Sequence, residues 1–203
     1  MKLKLAFLIG LLILLVTLQL FPLIQQFLLH PDPMYLQTYI QSKDGILLLF
    51  LLQSLQIFLF FIPAFPIQIT ASLVYGFTFG TTIIYLSYFL TTLLLYYLIP
   101  KDTIVFEKLT KRYQYLYKHH FLLYLIPSIP TCIKPYITKI ENYRFSQFLF
   151  TLSIAPLPSI VLATLIGTAL KYQYYSFAIL FAFLLILFTL CTYLYLFLKV
   201  KKR

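Results

Sequence analysis

Acidic residues are scarce in this chain: five aspartates and glutamates stand against 16 lysines and arginines in 203 residues. So few carboxylates leave no cluster for acid–base catalysis, and no Ser-His-Asp, HExxH or phosphate-loop pattern is present. There are only two cysteines, and Cys132 and Cys191 do not form a C-x-x-C pair, which excludes a disulfide framework and a zinc site. We therefore expect no enzyme, no cofactor and no metal, and we expect both cysteines to be small buried hydrophobic residues.

Charged residues of both signs make up only 10% of the sequence, whereas 62% is hydrophobic and the mean hydropathy is +0.92. Soluble domains contain about 25% charged and about 45–50% apolar residues. A soluble protein of this composition would lack the polar surface needed to cover its core. At about 20 apolar residues per spanning helix, the length allows about five or six hydrophobic segments. The composition therefore predicts an all-α polytopic membrane protein.

The net charge of +11 is unevenly distributed along the chain. Basic residues cluster in residues 2–4, 101–118, 134–144 and 199–203. The remaining hydrophilic segments hold only Asp32, Lys43, Asp44 and Lys171. Cytoplasmic loops of membrane proteins are enriched in lysine and arginine, so we predict that both termini and the loop 101–118 face the cytoplasm. Nucleic acid is excluded as a partner, because its binding requires a soluble basic face.

Hydropathy divides the chain into successive segments. Residues 1–29 begin like a signal peptide, but the apolar run continues without a cleavage site, so we expect an uncleaved first transmembrane helix. An extracytoplasmic linker is predicted at 30–45, a C-terminal transmembrane helix at 176–198 and a basic cytoplasmic tail at 199–203. The core between them, residues 46–170, divides into five predicted elements: hairpin 46–75, helix 77–99, basic cytoplasmic loop 100–120, hairpin 121–145 and helix 146–170.

A short internal repeat organises this core: the sequence IPAFP at residues 62–66 recurs as IPSIP at 126–130. Proline prevents a regular helix, and two arrangements fit the first copy. Either residues 46–62 span the membrane, or residues 46–75 form a re-entrant hairpin. A full span would place the loop 101–118 outside, against the charge pattern. That pattern favours two hairpins that enter from opposite faces, as in the inverted repeats of transporters.

Such hairpins contain backbone carbonyls that a proline-broken helix leaves unpaired, and lipid cannot satisfy them. They must face protein or a water-filled cavity, which predicts a polar pocket near the middle of the membrane. Lys134 follows Pro130 by four residues, and an ionisable residue at membrane depth marks a functional site. The alternative is a lysine whose long stem carries its charge to the cytoplasmic interface. The adjacent His119 and His120 point about 100° apart on a helix and rarely share a metal, so we expect them at the interface.

The order and spacing of these motifs, over residues 45–170, resemble the DedA-like membrane proteins, also called the SNARE-associated Golgi protein or VTT-domain family. In the second half, the Pro-x-x-Pro copy is followed by the F-x9-P-x8-G pattern of that family, at Phe148, Pro158 and Gly167. In the first half, residues 76–80 (GFTFG) match a G-x-[LF]-F-G turn apart from their third position. Two departures stand out: Tyr124 occupies the place of an arginine, and the hairpins lack the acidic groups of the family.

The resemblance implies two opposed re-entrant hairpins in an inverted repeat, and a transporter or scramblase that moves a phospholipid or lipid-phosphate head group between leaflets. It implies a bacterial-type inner membrane, membrane lipids as partners and no cofactor. The missing acids favour downhill movement, with Lys134 attracting the phosphate at the cytoplasmic mouth. The alternative is a scaffold or assembly factor of the same fold that transports nothing. The candidate site comprises nine residues at or near the hairpins: Pro63, Pro66, Gly76, Gly80, Pro127, Pro130, Lys134, Pro158 and Gly167.

Overall fold

The backbone is helical, with short turns between helices, and no strand occurs in the described part of the chain. The predicted all-α class is therefore confirmed for these residues. Most of the predicted linker 30–45, nearly all of the basic loop 100–120, and His119 lie outside the described residues. Side chains are described as far as residue 195. The computed structural model describes residues 9–21, 41–59, 63–99, 120–127 and 129–201.

Three stretches among the described residues are long and apolar enough to cross a membrane: Ala64–Leu98, Phe145–Lys171 and Tyr175–Tyr195. The last two occupy the segments predicted at 146–170 and 176–198. These stretches are consistent with a membrane-embedded protein. In chain order, the described helices are α1 (Ile9–Phe21), α2 (Lys43–Phe58), α3 (Ala64–Leu98), α4 (His120–Leu125), α5 (Ile133–Ile140), α6 (Phe145–Ile154), α7 (Leu157–Lys171) and α8 (Tyr175–Lys201).

Helix α3 is not one straight rod, because the chain folds back on itself at Gly76. Gly76 has φ +80° and ψ 178°, a conformation that only glycine adopts without strain. In a straight helix, residues eight apart are separated by about 12 Å. Here a Cβ atom placed on Gly80 would lie only 2.6 Å from the Cα atom of Ser72. Helix α3 therefore consists of a first arm, residues 64–75, and a second arm, residues 77–98, that pack against each other.

The first arm lies between the second arm and α7. Gly167 of α7 approaches the first arm so closely that a Cβ atom there would collide with the Ile69 carbonyl oxygen and the Ser72 hydroxyl. Small residues permit such close approach of helices in membranes. The second arm is joined to α7 directly, since the Thr81 hydroxyl donates to the hydroxyl of Thr164 at 2.9 Å. The two arms and α7 thus form the centre of the fold.

Helix α2 packs against the second arm through hydroxyl groups. It begins at Ser42, whose side chain accepts hydrogen bonds from the first backbone N–H groups of the helix, the usual role of an N-cap serine. The hydroxyl of Ser87 donates to the Phe50 carbonyl at 2.9 Å, and that of Thr91 donates to Ser54 at 2.9 Å. These bonds satisfy polar groups that would otherwise be buried unpaired.

Helices α1 and α8 form the two flanks of this core. Val16 of α1 packs on leucines of α2, and Ala178 and Leu185 of α8 pack on α7. The outer face of α8 exposes large apolar side chains, including Ile179 at 70% and Phe183 at 59%. A helix that is apolar on every side belongs in a large core or a membrane, so this outer face is suited to lipid.

The predicted helix 146–170 is broken in the middle by two turn residues, Ala155 and Pro156. Helix α6 ends before them and α7 begins after them, with Pro158 in its first turn. Proline is tolerated there because the first N–H groups of a helix have no partner within it. The sequence did not predict this interruption, since Pro158 was interpreted as part of one continuous span.

Candidate functional site

A cavity of about 200 Å³ lies where the broken elements of the chain meet. Four of the predicted site residues line it: Pro63, Pro127, Pro130 and Lys134. Both copies of the Pro-x-x-Pro repeat therefore border one cavity, although they are far apart in the sequence. Further lining residues come from α2, both arms of α3, α4, and the turn and first residues of α7: Gln56, Gln68, Tyr88, Tyr124, Pro156 and Ser159.

The other five predicted residues do not line the cavity but shape the helices around it. Gly80 and Gly167 pack against the first arm. Pro66 and Pro158 occupy the first turns of the first arm and of α7. Gly76 lies at the reversal between the two arms of α3. Its positive φ serves the chain reversal, which the G-x-[LF]-F-G resemblance did suggest.

Three helices begin at the wall of the cavity. The first arm starts after Pro63, α5 starts just after Pro130 and Thr131, and α7 starts after Pro156, and all of these residues line the cavity. The N-terminus of a helix has free backbone N–H groups and a partial positive charge. Each proline interrupts regular helical hydrogen bonding, so that a new helix can begin after it. At α5 the first N–H groups are already paired, because those of Ile133 and Lys134 donate to the carbonyls of Pro130 and Thr131 at 3.1 and 3.2 Å. The starts of the first arm and of α7 are therefore the ones that can add positive character to the wall.

Lys134 adds a basic side chain to this wall. Its side chain is only 3% exposed, and its ammonium donates to the carbonyl of Ile126 at 3.0 Å and to that of Tyr124 at 3.3 Å. These carbonyls end α4, just before Pro127 interrupts the chain, and a lysine near a helix C-terminus pairs with such groups. The ammonium therefore lies within the protein, where backbone carbonyls hold it.

The charge of Lys134 has no acidic partner among the described residues. Only Asp44 and Glu141 are acids in that part of the chain, and both side chains are exposed. No described lining residue of the cavity is an aspartate or glutamate. Because burial of an uncompensated charge is unfavourable, an anion entering the cavity would find a net positive environment.

Two buried polar side chains lining the cavity have atoms without a hydrogen-bond partner. They are the Oε1 atom of Gln68, which is 5% exposed, and the hydroxyl of Tyr88, which is 6% exposed. The Tyr88 hydroxyl lies beside Thr92 and Thr131 but does not reach hydrogen-bonding geometry with them. An unpaired buried polar group costs about 1–3 kcal/mol. These atoms are therefore suited to contact a polar occupant of the cavity.

His120 lies outside the cavity lining and holds the neighbouring helices together. Its Nε2 atom is 2.9 Å from the hydroxyl of Thr138, and its Nδ1 atom is 3.1 Å from that of Thr151. The Thr138 hydroxyl donates its single hydrogen to the Lys134 carbonyl at 2.9 Å, so it accepts from Nε2–H of His120. His120 is 7% exposed and stacks on Tyr143. His120 is therefore a buried residue that connects α5 and α6 in the described fold.

Two further lysines repeat the behaviour of Lys134. Lys139 donates to the Ile99 carbonyl at 2.6 Å, at the end of the second arm, and Lys171 donates to the Val74 carbonyl at 2.7 Å, at the end of the first arm. Cations at helix C-termini are favoured by the helix dipole. The two cysteines differ: Cys132 is buried as predicted, whereas Cys191 is exposed, so the prediction for Cys191 is wrong.

The sequence interpretation overlooked Gln68, Tyr88, Pro156 and Ser159 as residues of the cavity. A signal for Gln68 was present, because an isolated polar residue in an apolar segment is costly unless it has a function or a partner. The other three have common residue types in this chain, and only the fold brings them together. No protein-family model, curated protein or solved structure matches the chain. Function is therefore inferred from the cavity's own residues.

Proposed function

We propose that this protein is a DedA-like membrane lipid transporter or scramblase, which moves a phospholipid or lipid-phosphate head group between leaflets. One observation carries the proposal: Lys134 and the starts of three helices border a single cavity whose described lining contains no carboxylate. Helix N-termini bind phosphate groups through free N–H groups and the helix dipole. A lysine ammonium acts on phosphate as a compact point charge that requires no fixed orientation.

The size of the cavity fits the passage of a head group while the acyl chains remain in lipid. A volume of about 200 Å³ accommodates a small polar group but not a pair of acyl chains. The apolar faces of the surrounding helices, such as that of α8, are suited to contact the chains. In this mechanism the polar part of the lipid moves through the protein and the apolar part stays in the bilayer.

Two opposed re-entrant hairpins are part of the proposal. Helix α2 has 16 residues, which corresponds to a length of about 24 Å, less than the roughly 30 Å of a hydrocarbon core. It ends shortly before Pro63, and α4 ends before Pro127. Short helices that stop at prolines support hairpins at 46–75 and 121–145. With both termini and the loop 101–118 in the cytoplasm of a bacterial-type inner membrane, the hairpins enter from opposite faces.

The proposed movement is downhill. Coupling to a proton gradient usually requires a titratable carboxylate or histidine in the pathway. The described cavity lining contains neither, and both nitrogens of His120 are occupied by threonine hydroxyls away from the lining. The positive charge of Lys134 then serves to attract the phosphate, and the concentration difference between leaflets sets the direction of movement.

The test is lipid exchange in liposomes that contain the purified protein and a head-group-labelled phospholipid. The wild type should speed exchange above protein-free liposomes, and a pH gradient should leave net flux unchanged. Lys134→Ala should reduce the rate by about tenfold or more, the value of a charge-assisted hydrogen bond. Lys134→Gln should reduce it similarly, although an amide still donates to the carbonyls of α4.

Lys171→Ala is the matched control, because Lys171 also donates to a helix-end carbonyl but does not line the cavity. Its exchange rate should stay close to that of the wild type. Exchange by the wild type no faster than in protein-free liposomes would favour the scaffold alternative. Net accumulation of lipid in one leaflet under a pH gradient would refute downhill movement.

A further inference from the structure

The cavity combines a basic side chain with an unpaired hydrogen-bond acceptor, the Oε1 atom of Gln68. Lys134 and the helix starts supply donors, which suit phosphate oxygens. The Oε1 atom of Gln68 is different, because it accepts hydrogen bonds and has no partner in the described protein. The Tyr88 hydroxyl also has none, and it both donates and accepts. An occupant that satisfies the whole cavity needs negative charge and at least one hydrogen-bond donor.

Gln68 lies near the start of the first arm, which the phosphate would approach. Gln68 lies in the first arm, about one turn after Pro63 and Ala64, and all three residues line the cavity. The backbone carbonyl of Gln68 accepts from the hydroxyl of Ser72 at 3.3 Å, which adds a side-chain bond to the helix at this point. A donor bound at Oε1 is therefore close to an anion bound at the start of the first arm.

A second positive charge would find no counter-charge in this cavity. Choline and ethanolamine head groups carry a positive charge in addition to the phosphate, and the described lining has no carboxylate to pair with that charge. An aromatic ring is the other partner for a quaternary ammonium. The ring of Tyr124 already faces the ammonium of Lys134, with Nζ 5.8 Å from the ring centroid. Phe65 and Tyr88 are the other aromatic residues of the described lining. A zwitterionic head group therefore places its own positive charge in the same small cavity as Lys134, without a carboxylate to pair with it.

We infer that the cavity selects an anionic phosphodiester head group that carries a free hydroxyl, as phosphoglycerol does, over phosphocholine. The phosphate lies at Lys134 and the helix starts, and the hydroxyl donates to Oε1 of Gln68. The Tyr88 hydroxyl pairs with either group. Phosphocholine has no hydrogen-bond donor, so it would leave Oε1 of Gln68 unpaired and would add positive charge. This inference rests on the proposed function and specifies its substrate class.

The experiment compares exchange of labelled phosphatidylglycerol and labelled phosphatidylcholine, at equal trace amounts, in the same liposomes. The wild type should exchange phosphatidylglycerol several-fold faster. Gln68→Leu should lower the phosphatidylglycerol-to-phosphatidylcholine rate ratio by about two- to tenfold, the effect of one hydrogen bond. Gln53→Leu is the matched control, since Gln53 is a fully buried, unpaired glutamine that does not line the cavity. Its ratio should equal that of the wild type.

A second measurement needs no variant and so does not depend on how the mutants fold. Soluble glycerol 3-phosphate and phosphocholine are added in turn to wild-type liposomes, and glycerol 3-phosphate should inhibit exchange at the lower concentration. Clear exchange of both lipids at equal rates, with equal inhibition by both compounds, would overturn the inference and leave the proposed function standing. Exchange of neither lipid above background would instead reject the proposed function. If Gln53→Leu lowered the phosphatidylglycerol-to-phosphatidylcholine rate ratio as much as Gln68→Leu does, the role of Gln68 would also be overturned.

Discussion

Gly80 and Gly167 lie against the same stretch of the first arm from two different helices. A Cβ atom on Gly80 would meet the backbone of Ser72 at 2.6 Å, and one on Gly167 would collide with Ile69 and the side chain of Ser72. The two glycines thus fix the distance of the second arm and of α7 from the first arm. Gly10, in α1, has nothing within 4 Å of the equivalent position.

Leucine at either central glycine should therefore destabilise the fold. Overpacking of a tight contact costs about 1–3 kcal/mol or more, and here the obstacle is backbone that cannot rotate away. We expect Gly80→Leu and Gly167→Leu to lower the free energy of unfolding, measured by SDS titration in detergent, and to reduce lipid exchange. Gly10→Leu, the matched control, should leave both close to wild type. Equal tolerance at all three positions would show that the arms do not pack in this way.

Gly76 should be sensitive to backbone conformation rather than to side-chain size. A Cβ atom there would have only the Lys171 ammonium nearby, at 3.8 Å, so space is available. The positive φ costs a residue with a Cβ atom about 1–2 kcal/mol. We expect Gly76→Ala and Gly76→Val to lower the thermal midpoint in detergent, and Gly76→Asn to lower it less, because asparagine tolerates positive φ. If the thermal midpoints of the three variants instead followed side-chain volume alone, the positive φ at Gly76 would not be what limits substitution there.

Thr138 should be more sensitive to loss of its hydroxyl than to loss of its methyl group. Thr138→Val removes the acceptor for Nε2–H of His120 and leaves that buried donor unpaired, at a cost of about 1–3 kcal/mol. Thr138→Ser keeps the hydroxyl and should stay near the wild type in thermal midpoint. The isosteric valine separates hydrogen bonding from packing. If Thr138→Val had the same thermal midpoint as Thr138→Ser, the hydrogen bond from His120 would not contribute to holding α5 in place.

The membrane orientation can be tested at two single cysteines in a variant without Cys132 and Cys191. The basic clusters predict that Arg112→Cys faces the cytoplasm and Thr38→Cys the outside. A membrane-impermeant maleimide applied to intact cells should label position 38 and should label position 112 only after the cells are opened. Strong labelling of position 112 in intact cells would reject opposed hairpins.

The sequence predicted the parts of the fold that depend on composition and on proline. The apolar content indicated spanning helices, and three such stretches are present among the described residues. Pro63 marked the place where the first arm begins, and Pro127 a place just after the end of α4. Proline acts through its own ring and its missing N–H group, so its effect can be predicted without knowledge of distant residues.

The contacts around Lys134 could not be predicted in the same way. Its partners are carbonyls of Tyr124 and Ile126, and a carbonyl is available only where a helix happens to stop. The break at Pro156 was missed because Pro158, two residues later, fits within the first turn of a helix and gave no separate signal. Gln68 and Lys134 line one cavity only because of the fold, and hydropathy does not detect the reversal at Gly76 that helps to shape it.

The position of the first arm has a consequence for biogenesis. Its packing surface is completed by Gly167 of α7, which leaves the ribosome long after Ile69 and Ser72 have been synthesised. During synthesis, Ala64–Leu98 emerges as one continuous apolar stretch, and the contact of its first half with Gly167 must wait until α7 is translated. The reversal at Gly76 can therefore reach its final packing only after the C-terminal half has been inserted. A ribosome stalled before residue 157 would hold a chain with the first arm uncovered, as a substrate for membrane chaperones and proteases.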